Sequence, residues 1–365
     1  MKIAVDILPG LGAGVGRWQR ETIRALSSQV TRGCVSDICA FSFGKRYGRP
    51  PWMPSIASYC SSLLPGRLQT MLTNRFGIPV EFMCRLGHPD VVLGLNLHPL
   101  RTSVPVILGV ADVSWRTFNG QYRNTFSERQ IQSAEEAIRR ADHILTLSRC
   151  SACDLVRGGV ASERITVAHL GVSEEFRSVS DEDVARVRSA YRLPDDFVLY
   201  VGGINERKNI ATLAMAMGSM FCPPALILIG PVPSEPLSTW GLNWPWIRHL
   251  GYVPDQDVPA IMRAATLEVF PSKLEGFGLP LIEAMAVGTP VLASDIPVFR
   301  EVACDAASFF PPDDPLALSG LIQRAIDSAS FRCEYRGRGF ARVASLGWDR
   351  YNKGLMTAIS RAIRR

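Results

Sequence analysis

Apolar residues fall along the chain in short blocks separated by stretches with helical spacing. In the first half, residues 3–8, 37–43, 90–95, 105–110 and 143–147 read as buried strands, and 17–28 and 127–140 read as helices. In the second half, 197–202, 225–229, 267–271 and 290–294 read as strands with helices between them. Strand and helix alternating in this way predicts an α/β unit with a parallel sheet, here twice. The polar stretch 173–194, rich in Ser, Asp and Glu, is where the boundary is expected.

A length of 365 residues agrees with two domains, since single cores rarely grow past about 250–300 residues. With 47% hydrophobic and 20% charged residues the composition is that of a folded chain, not a disordered or collagen-like one. The net charge is +6, and the first 180 residues hold all the excess: 21 basic against 14 acidic side chains. That is too weak to point to nucleic acid. Nine cysteines without regular spacing read as reduced thiols of a cytoplasmic protein. Cys150 and Cys153 form a lone C-x-x-C, with no second pair to complete a zinc site. Between Lys208 and Glu235 there is no charge for 26 residues, but Pro223-Pro224 divides that stretch into a helix and a buried strand, so no membrane span is expected. The first residues do not read as a secretory signal, because Asp6 and the Gly/Pro residues break their apolar run.

In open parallel sheets, ligands bind beyond the C-terminal ends of the strands. Three post-strand segments carry candidate chemistry. Residues 9–16, PGLGAGVG, lead into the first helix, and Gly14 and Gly16 would let backbone approach a phosphate or sugar. The same glycines also suit an ordinary tight turn. Their spacing is not that of dinucleotide folds, and no acidic residue ends the second strand to hold a ribose, which speaks against an NAD-dependent oxidoreductase. The second segment, Gly203 to Asn209, carries Arg207 and Lys208 just before a helix, as a diphosphate site would or a solvated charged loop could. The third segment, EGFGLPLIEAMAVGTP from Glu275 to Pro290, places two carboxylates eight residues apart. Pro280 fits a first helical turn, Gly288 a C-terminal cap, and Glu283 is expected in the first turn. Carboxylates that accept from sugar hydroxyls beside backbone N–H groups suit a sugar nucleotide. Helix-dipole stabilisation alone would also explain Glu283. His98 and His169 read as structural.

These segments resemble the retaining GT-B glycosyltransferases of family 4, the group that includes bacterial mannosyltransferases and O-antigen and exopolysaccharide enzymes. Glu275 and Glu283 match the E-x7-E motif, and VGGINERKN is similar to the diphosphate-binding loop. ADHILTLSRCSACDL, ITVAHLGV, LGYVP and GTPVLASDIP are further family-like segments. The resemblance implies two Rossmann-like domains with a cleft between them. Residues 1–175 would form the acceptor-side domain and 176–345 the nucleotide-sugar domain, with 346–365 crossing back onto the first.

The resemblance also implies roles. Glu275 would bond the donor sugar and Glu283 the ribose, while Arg207 and Lys208 would stabilise the leaving diphosphate in place of a metal. Main-chain groups at Gly14, Gly16, Gly203, Phe277, Gly278 and Leu279 would close on the donor. No cofactor is implied beyond the nucleotide sugar, with a GDP-sugar ahead of a UDP- or dTDP-sugar. The reaction would proceed by front-face displacement onto a glycan acceptor, lipid-linked, in surface polysaccharide synthesis. Where the family commonly has a His lining the donor sugar, this chain has Ala111, followed by Asp112, which is counted with the catalytic candidates. A small apolar wall there favours a 6-deoxyhexose such as rhamnose or fucose, with mannose next. The same substitution gives weight to an inactive GT-B-like nucleotide-binding or scaffold protein as the alternative. Residues 45–85 carry Lys45, Arg46, Arg49, Arg67, Arg75 and Arg85 against Glu81, among many apolar side chains. That mixture suits peripheral contact with an anionic bilayer on its cytoplasmic face, or an ordinary amphipathic helix.

Overall fold

The computed structural model describes residues 1–8, 13–42, 48–61, 64, 66–117, 127–231 and 236–364. The chain divides into two compact units, Met1–Leu170 with Trp348–Arg365, and Gly171–Gly347. The polar stretch 173–194 lies wholly within the second unit, so the junction falls just before the expected boundary. The reason is local. Ser180 caps a helix over Asp181–Ala190 with a reciprocal bond to Asp183, and Arg188 and Arg263 tie that segment to its neighbours.

The first unit contains, in order, β1 Lys2–Asp6, α1 Ala13–Thr31, β2 Asp37–Ser42, β3 Ser58–Ser61, α2 Gly66–Phe76, α3 Val80–Met83, β4 Val91–Gly94, β5 Val106–Val110, α4 Ser114–Thr117, α5 Glu128–Arg140, β6 His143–Thr146, α6 Arg149–Arg157 and β7 Ile165–Val167. Its strands form one parallel sheet in the order β3-β2-β1-β4-β5-β6-β7. The second unit contains α7 Asp181–Ala190, β8 Phe197–Val201, α8 Ile210–Gly218, β9 Ala225–Ile229, β10 Ile247–His249, α9 Val258–Ala264, β11 Leu267–Phe270, α10 Leu279–Val287, β12 Val291–Ser294, α11 Pro297–Ala303, β13 Ser308–Phe310, α12 Pro315–Asp327 and α13 Ala329–Ala344. Its sheet is also parallel, in the order β10-β9-β8-β11-β12-β13. The last helix, α14 Trp348–Ile363, returns to the first unit. There the Tyr351 hydroxyl meets Trp18 Nε1 at 2.8 Å and Thr22 Oγ1 at 2.7 Å on α1.

The central strands are apolar on both faces because helices cover both sides, as parallel sheets require. Within each sheet the direction of strand addition reverses once, between β1 and β4 in the first unit and between β8 and β11 in the second. The loops leaving those strands are where such folds bind ligands. One core side chain breaks the apolar rule. Glu268, in the middle of β11, is fully buried, and neither carboxylate oxygen has a hydrogen-bond partner among the described residues. Burial pushes its carboxyl well above the usual range, which favours the neutral acid.

No helix among the described residues is long and apolar enough to cross a membrane. All nine cysteines are free thiols, and among the described residues no group of His, Cys, Asp or Glu is placed to hold a metal ion. Of the basic, apolar region 45–85, residues 45–47, 62, 63 and 65 lie outside the described residues, as does the side chain of Arg67. In the remainder, α2 exposes Leu68, Met71 and Phe76, α3 exposes Phe82, and Arg75 and Arg85 are exposed beside them.

Candidate active site

The β8–β11 reversal carries three of the charged residues that the sequence singles out, Arg207, Lys208 and Glu275. After β8 the chain turns at Gly202 and Gly203, where the buried Tyr200 hydroxyl donates to Gly203 O at 2.7 Å. The next turn, Glu206–Lys208, is a single 3-10 turn capped by Asn205, whose Oδ1 accepts from Lys208 N at 3.0 Å. Asn209 then takes φ +53°, a left-handed conformation that asparagine tolerates better than most residues. Its buried amide donates to Pro271 O at 3.0 Å and Pro312 O at 2.8 Å, and accepts from Thr212 Oγ1 at 2.9 Å. Asn209 therefore clamps the post-β8 loop to the post-β11 loop. A backbone bond from Lys273 N to Arg207 O, 2.9 Å, reinforces the clamp.

The result is a compact ionic cluster. Lys208 Nζ lies 2.5 Å from Glu275 Oε1, and Arg207 Nη1 lies 3.3 Å from Glu275 Oε2 and 3.2 Å from Leu274 O. Ser272 Oγ donates to the same Oε1 at 2.8 Å. Burial by itself would raise the Glu275 carboxyl. The Lys208 and Arg207 charges, with hydrogen bonds from Lys208 and Ser272, outweigh it and hold the group below the usual carboxylate range. Sequence reasoning assigns Glu275 and the two cations separate partners, and the fold joins them. An ammonium has three N–H groups, so Lys208 keeps donor capacity beyond Glu275.

Gly278 opens α10 at φ +90°, and a Cβ there would stand 2.8 Å from the Phe299 ring. Glycine is required at that position twice over, by backbone conformation and by packing. Pro280 sits in the first turn and Gly288 ends the helix at φ +84°. Glu283 does not lie in the first turn as expected. The helix begins at Leu279, so Glu283 falls in the second turn and is buried. Phe277 and Leu279 bury their side chains, so what they can offer a ligand is main chain.

Gly14, Gly16 and Asp112 belong to the first unit. The sequence reading makes the glycine segment a loop as far as Gly16. Instead α1 starts at Ala13, so Gly14 and Gly16 are in its first turn, while residues 9–12 lie outside the described residues. The glycines place the expected start at Arg17, but glycine in an exposed first turn does not prevent helix formation. A Cβ at Gly14 would meet nothing within 4 Å. No acidic side chain occupies that first turn, so the helix N-terminus keeps its positive end. Asp112 Oδ1 accepts from Ser114 N at 3.0 Å and opens α4, and Ala111 O accepts from Ser151 Oγ at 2.8 Å. His98 is exposed at the exit of β4, and His169 is half-buried. Sequence reasoning missed Asn209 and Ser272. Asn209 stands within the RKN segment, but its clamp depends on Pro271 and Pro312, which no local pattern links to it.

The family model of glycosyl transferases group 1 matches residues 181–339. The chain is 34% identical over 230 residues to an O-antigen chain mannosyltransferase B of Escherichia coli, covering 60% of each protein. It is 61% identical over 184 residues to the O-antigen chain mannosyltransferase RfbU of Salmonella typhimurium, covering 49% of each. The chain thus spans about half to three fifths of these relatives. Among solved structures, Anabaena Alr3699/HepE in complex with UDP and glucose superposes with a TM-score of 0.73 over 99% of both chains at 17% identity, a likeness of fold. Residues 181–339 thus match the glycosyl transferases group 1 model, in a chain whose fold is that of GT-B structures.

Proposed function

We propose that this protein is a retaining, metal-independent glycosyltransferase that moves a hexose of the mannose type from a nucleoside diphosphate sugar to a glycan acceptor in surface polysaccharide synthesis. The observation that carries this reading is the Lys208–Glu275–Arg207 cluster at the strand-order reversal of the group 1 domain. Two cations held at one carboxylate suit a reaction in which a diphosphate leaves beside the sugar whose hydroxyls that carboxylate accepts from. Catalysis of this kind is positioning plus stabilisation of the leaving charge. Arg207 and Lys208 neutralise the diphosphate, Glu275 orients the sugar, and Glu283 holds the ribose. The incoming hydroxyl arrives on the face that the phosphate leaves, assisted by that phosphate.

The names of the two relatives favour mannose as the sugar, and GDP stands first among the nucleotides to test. Ala111 favours a second donor reading, a 6-deoxyhexose, because its methyl asks for no 6-hydroxyl. Initial rates with GDP-mannose and GDP-rhamnose, read with and without chelator, test both. Transfer from GDP-mannose at tenfold or greater preference removes the 6-deoxy reading, and no transfer from any nucleotide sugar removes the enzyme. Glu283→Ala should weaken GDP binding by about 1.5–3 kcal/mol, the value of a charged hydrogen bond. The acceptor in this proposal is lipid-linked, and the exposed apolar and basic side chains around α2 and α3 rest on an anionic bilayer. Replacing Arg75 and Arg85 with Gln should then lower sedimentation with anionic liposomes and make it less salt-dependent.

A further inference from the structure

The β1–β4 reversal of the first unit holds a chain of buried amides that no motif announces. Asp6, the last residue of β1, is fully buried. Asn96, just beyond β4, donates from Nδ2 to Asp6 Oδ2 at 3.0 Å. Gln19, in the second turn of α1, donates from Nε2 to Asn96 Oδ1 at 3.0 Å. Gln19 Oε1 in turn accepts from the backbone N–H of Leu8 at 3.1 Å. Gln19 and Asn96 are both buried.

The polarity of this chain is not arbitrary. Asn96 turns its NH2 toward Asp6 and its oxygen toward Gln19, the orientation that an ionised Asp6, which only accepts, requires. Gln19 must then turn its NH2 toward Asn96, which leaves its oxygen for Leu8. Reversing any one amide would set two donors or two acceptors face to face in a buried site, where an unmade bond is costly. One side chain thereby ties Leu8, which enters the glycine segment, to α1, which leaves it. The same α1 carries Gly14, whose Cβ position is open space, and a first turn without a carboxylate.

We infer that Gln19 is a positioning residue for transfer, fixing the first turn of α1 against the end of β1 through an amide chain whose direction Asp6 sets, so that the main chain at Gly14 and Gly16 meets the donor's phosphate and sugar in one geometry. This rests on the donor assignment proposed above and on the expectation from the sequence that Gly14 and Gly16 close on that donor. Gln19 itself touches no substrate in this account.

The test uses isosteric changes, so that packing alone predicts no effect. In Gln19→Glu, one carboxylate oxygen keeps the Leu8 bond, and two acceptors face each other elsewhere in the chain whichever way Asn96 turns. In the double variant Asp6→Asn/Gln19→Glu the first two bonds run in reverse. The amide introduced at position 6 donates to Asn96, Asn96 donates to the carboxylate introduced at position 19, and Leu8 N–H donates to the other oxygen of that carboxylate. The variants are compared by hydrogen exchange at Leu8 and residues 13–16, by kcat for sugar transfer, and by binding of GDP. Gln19→Glu should speed exchange in that segment and lower kcat, each at least tenfold, with kcat falling by more than GDP affinity does. The double variant should return both to within threefold. Parent-like exchange and kcat in Gln19→Glu would overturn the inference, as would a double variant of parental Tm that recovers neither. Faster exchange with unchanged kcat would overturn the positioning role. If Gln19→Glu does not fold, Gln19→Met removes the bonds without adding charge and is read in the same way. If the parent transfers no sugar, the donor assignment fails on its own, and the exchange data still decide whether the chain holds the segment.

Discussion

At one strand-order reversal two buried amides are strung from an aspartate, and at the other two cations close on a glutamate. Both stand beyond the C-terminal ends of central parallel strands, at equivalent places in their sheets. The difference shows that equivalent topology does not dictate equivalent electrostatics. In the first unit the polar residues serve geometry: each amide satisfies the next, and the segment they brace offers main chain and space. In the second unit the polar residues keep charge on the site itself. Glu268 shows what the second arrangement requires. It lies seven residues before Glu275, is also buried, and has no partner for either oxygen among the described residues, so burial pushes its carboxyl well above the usual range. Glu275 remains ionised because Lys208 and Arg207 are there.

Removing a cation should break this contrast most visibly. Lys208→Met deletes the closest charge to Glu275 and moves its carboxyl upward, toward the situation of Glu268. If the pair stabilises charge that develops on the leaving diphosphate, kcat should fall on the order of 100-fold, about 2.7 kcal/mol, with KM for the donor changed far less. Steady-state kinetics decide it. A large rise in KM with unchanged kcat would assign Lys208 to ground-state binding instead.

The glycines sharpen the comparison at intermediate size. Gly278 has φ +90° and the Phe299 ring 2.8 Å from its Cβ position, whereas Gly14 has open space. Gly278→Ala should therefore cost about 1–3 kcal/mol of stability, by strain and displacement of the ring. Gly14→Ala should raise stability by about 0.5–1 kcal/mol, since it removes a helical glycine without a clash. If Gly14 is kept for a ligand, the more stable variant should also be the slower one. Denaturant unfolding and kcat, measured on both proteins, test the pair, and a destabilised Gly14→Ala would show that packing explains that glycine after all.

The two reversals are also unequally legible in the sequence. The central strands β1, β2, β4, β5 and β6 and their counterparts β8, β9, β11 and β12 announce themselves as apolar runs because helices bury both faces. The four strands that the pattern does not reveal, β3, β7, β10 and β13, are the edges of the two sheets. They are three or four residues long, as in SYCS and IRH, and a short strand paired on one side needs no apolar run. The charged site is legible because E-x7-E and the RKN segment are local in sequence. The amide chain is not, because Asp6, Gln19 and Asn96 come from three separate elements and each looks ordinary alone. Helix starts are hidden at both sites for related reasons. Glycine conceals the beginning of α1, and Pro280 draws the eye to a turn that opens one residue earlier at Leu279.

Ser272 tests the charged cluster at its least charged member. Its hydroxyl donates to the same Glu275 oxygen that Lys208 reaches, 2.8 Å against 2.5 Å. Ser272→Ala removes one neutral donor and leaves both cations, so the loss should be about 0.5–1.5 kcal/mol, roughly a twofold to thirteenfold fall in kcat. The sign of the pH effect follows from the direction of the Glu275 shift. Its carboxyl is held below the usual range in the folded protein, so the ionised form persists as pH falls and is lost only on passing through that lowered value. Ser272 is one of the groups that lower it. Without Ser272 the carboxyl should protonate at a higher pH, and the acid limb of kcat should move upward. Lys208→Met should move the same limb further in the same direction, because a cation at 2.5 Å lowers the carboxyl more than a hydroxyl does. A kcat profile whose acid limb is the same in the parent, Ser272→Ala and Lys208→Met would mean that some group other than Glu275 sets the acid limb, and the charged cluster would lose its place at the reacting sugar.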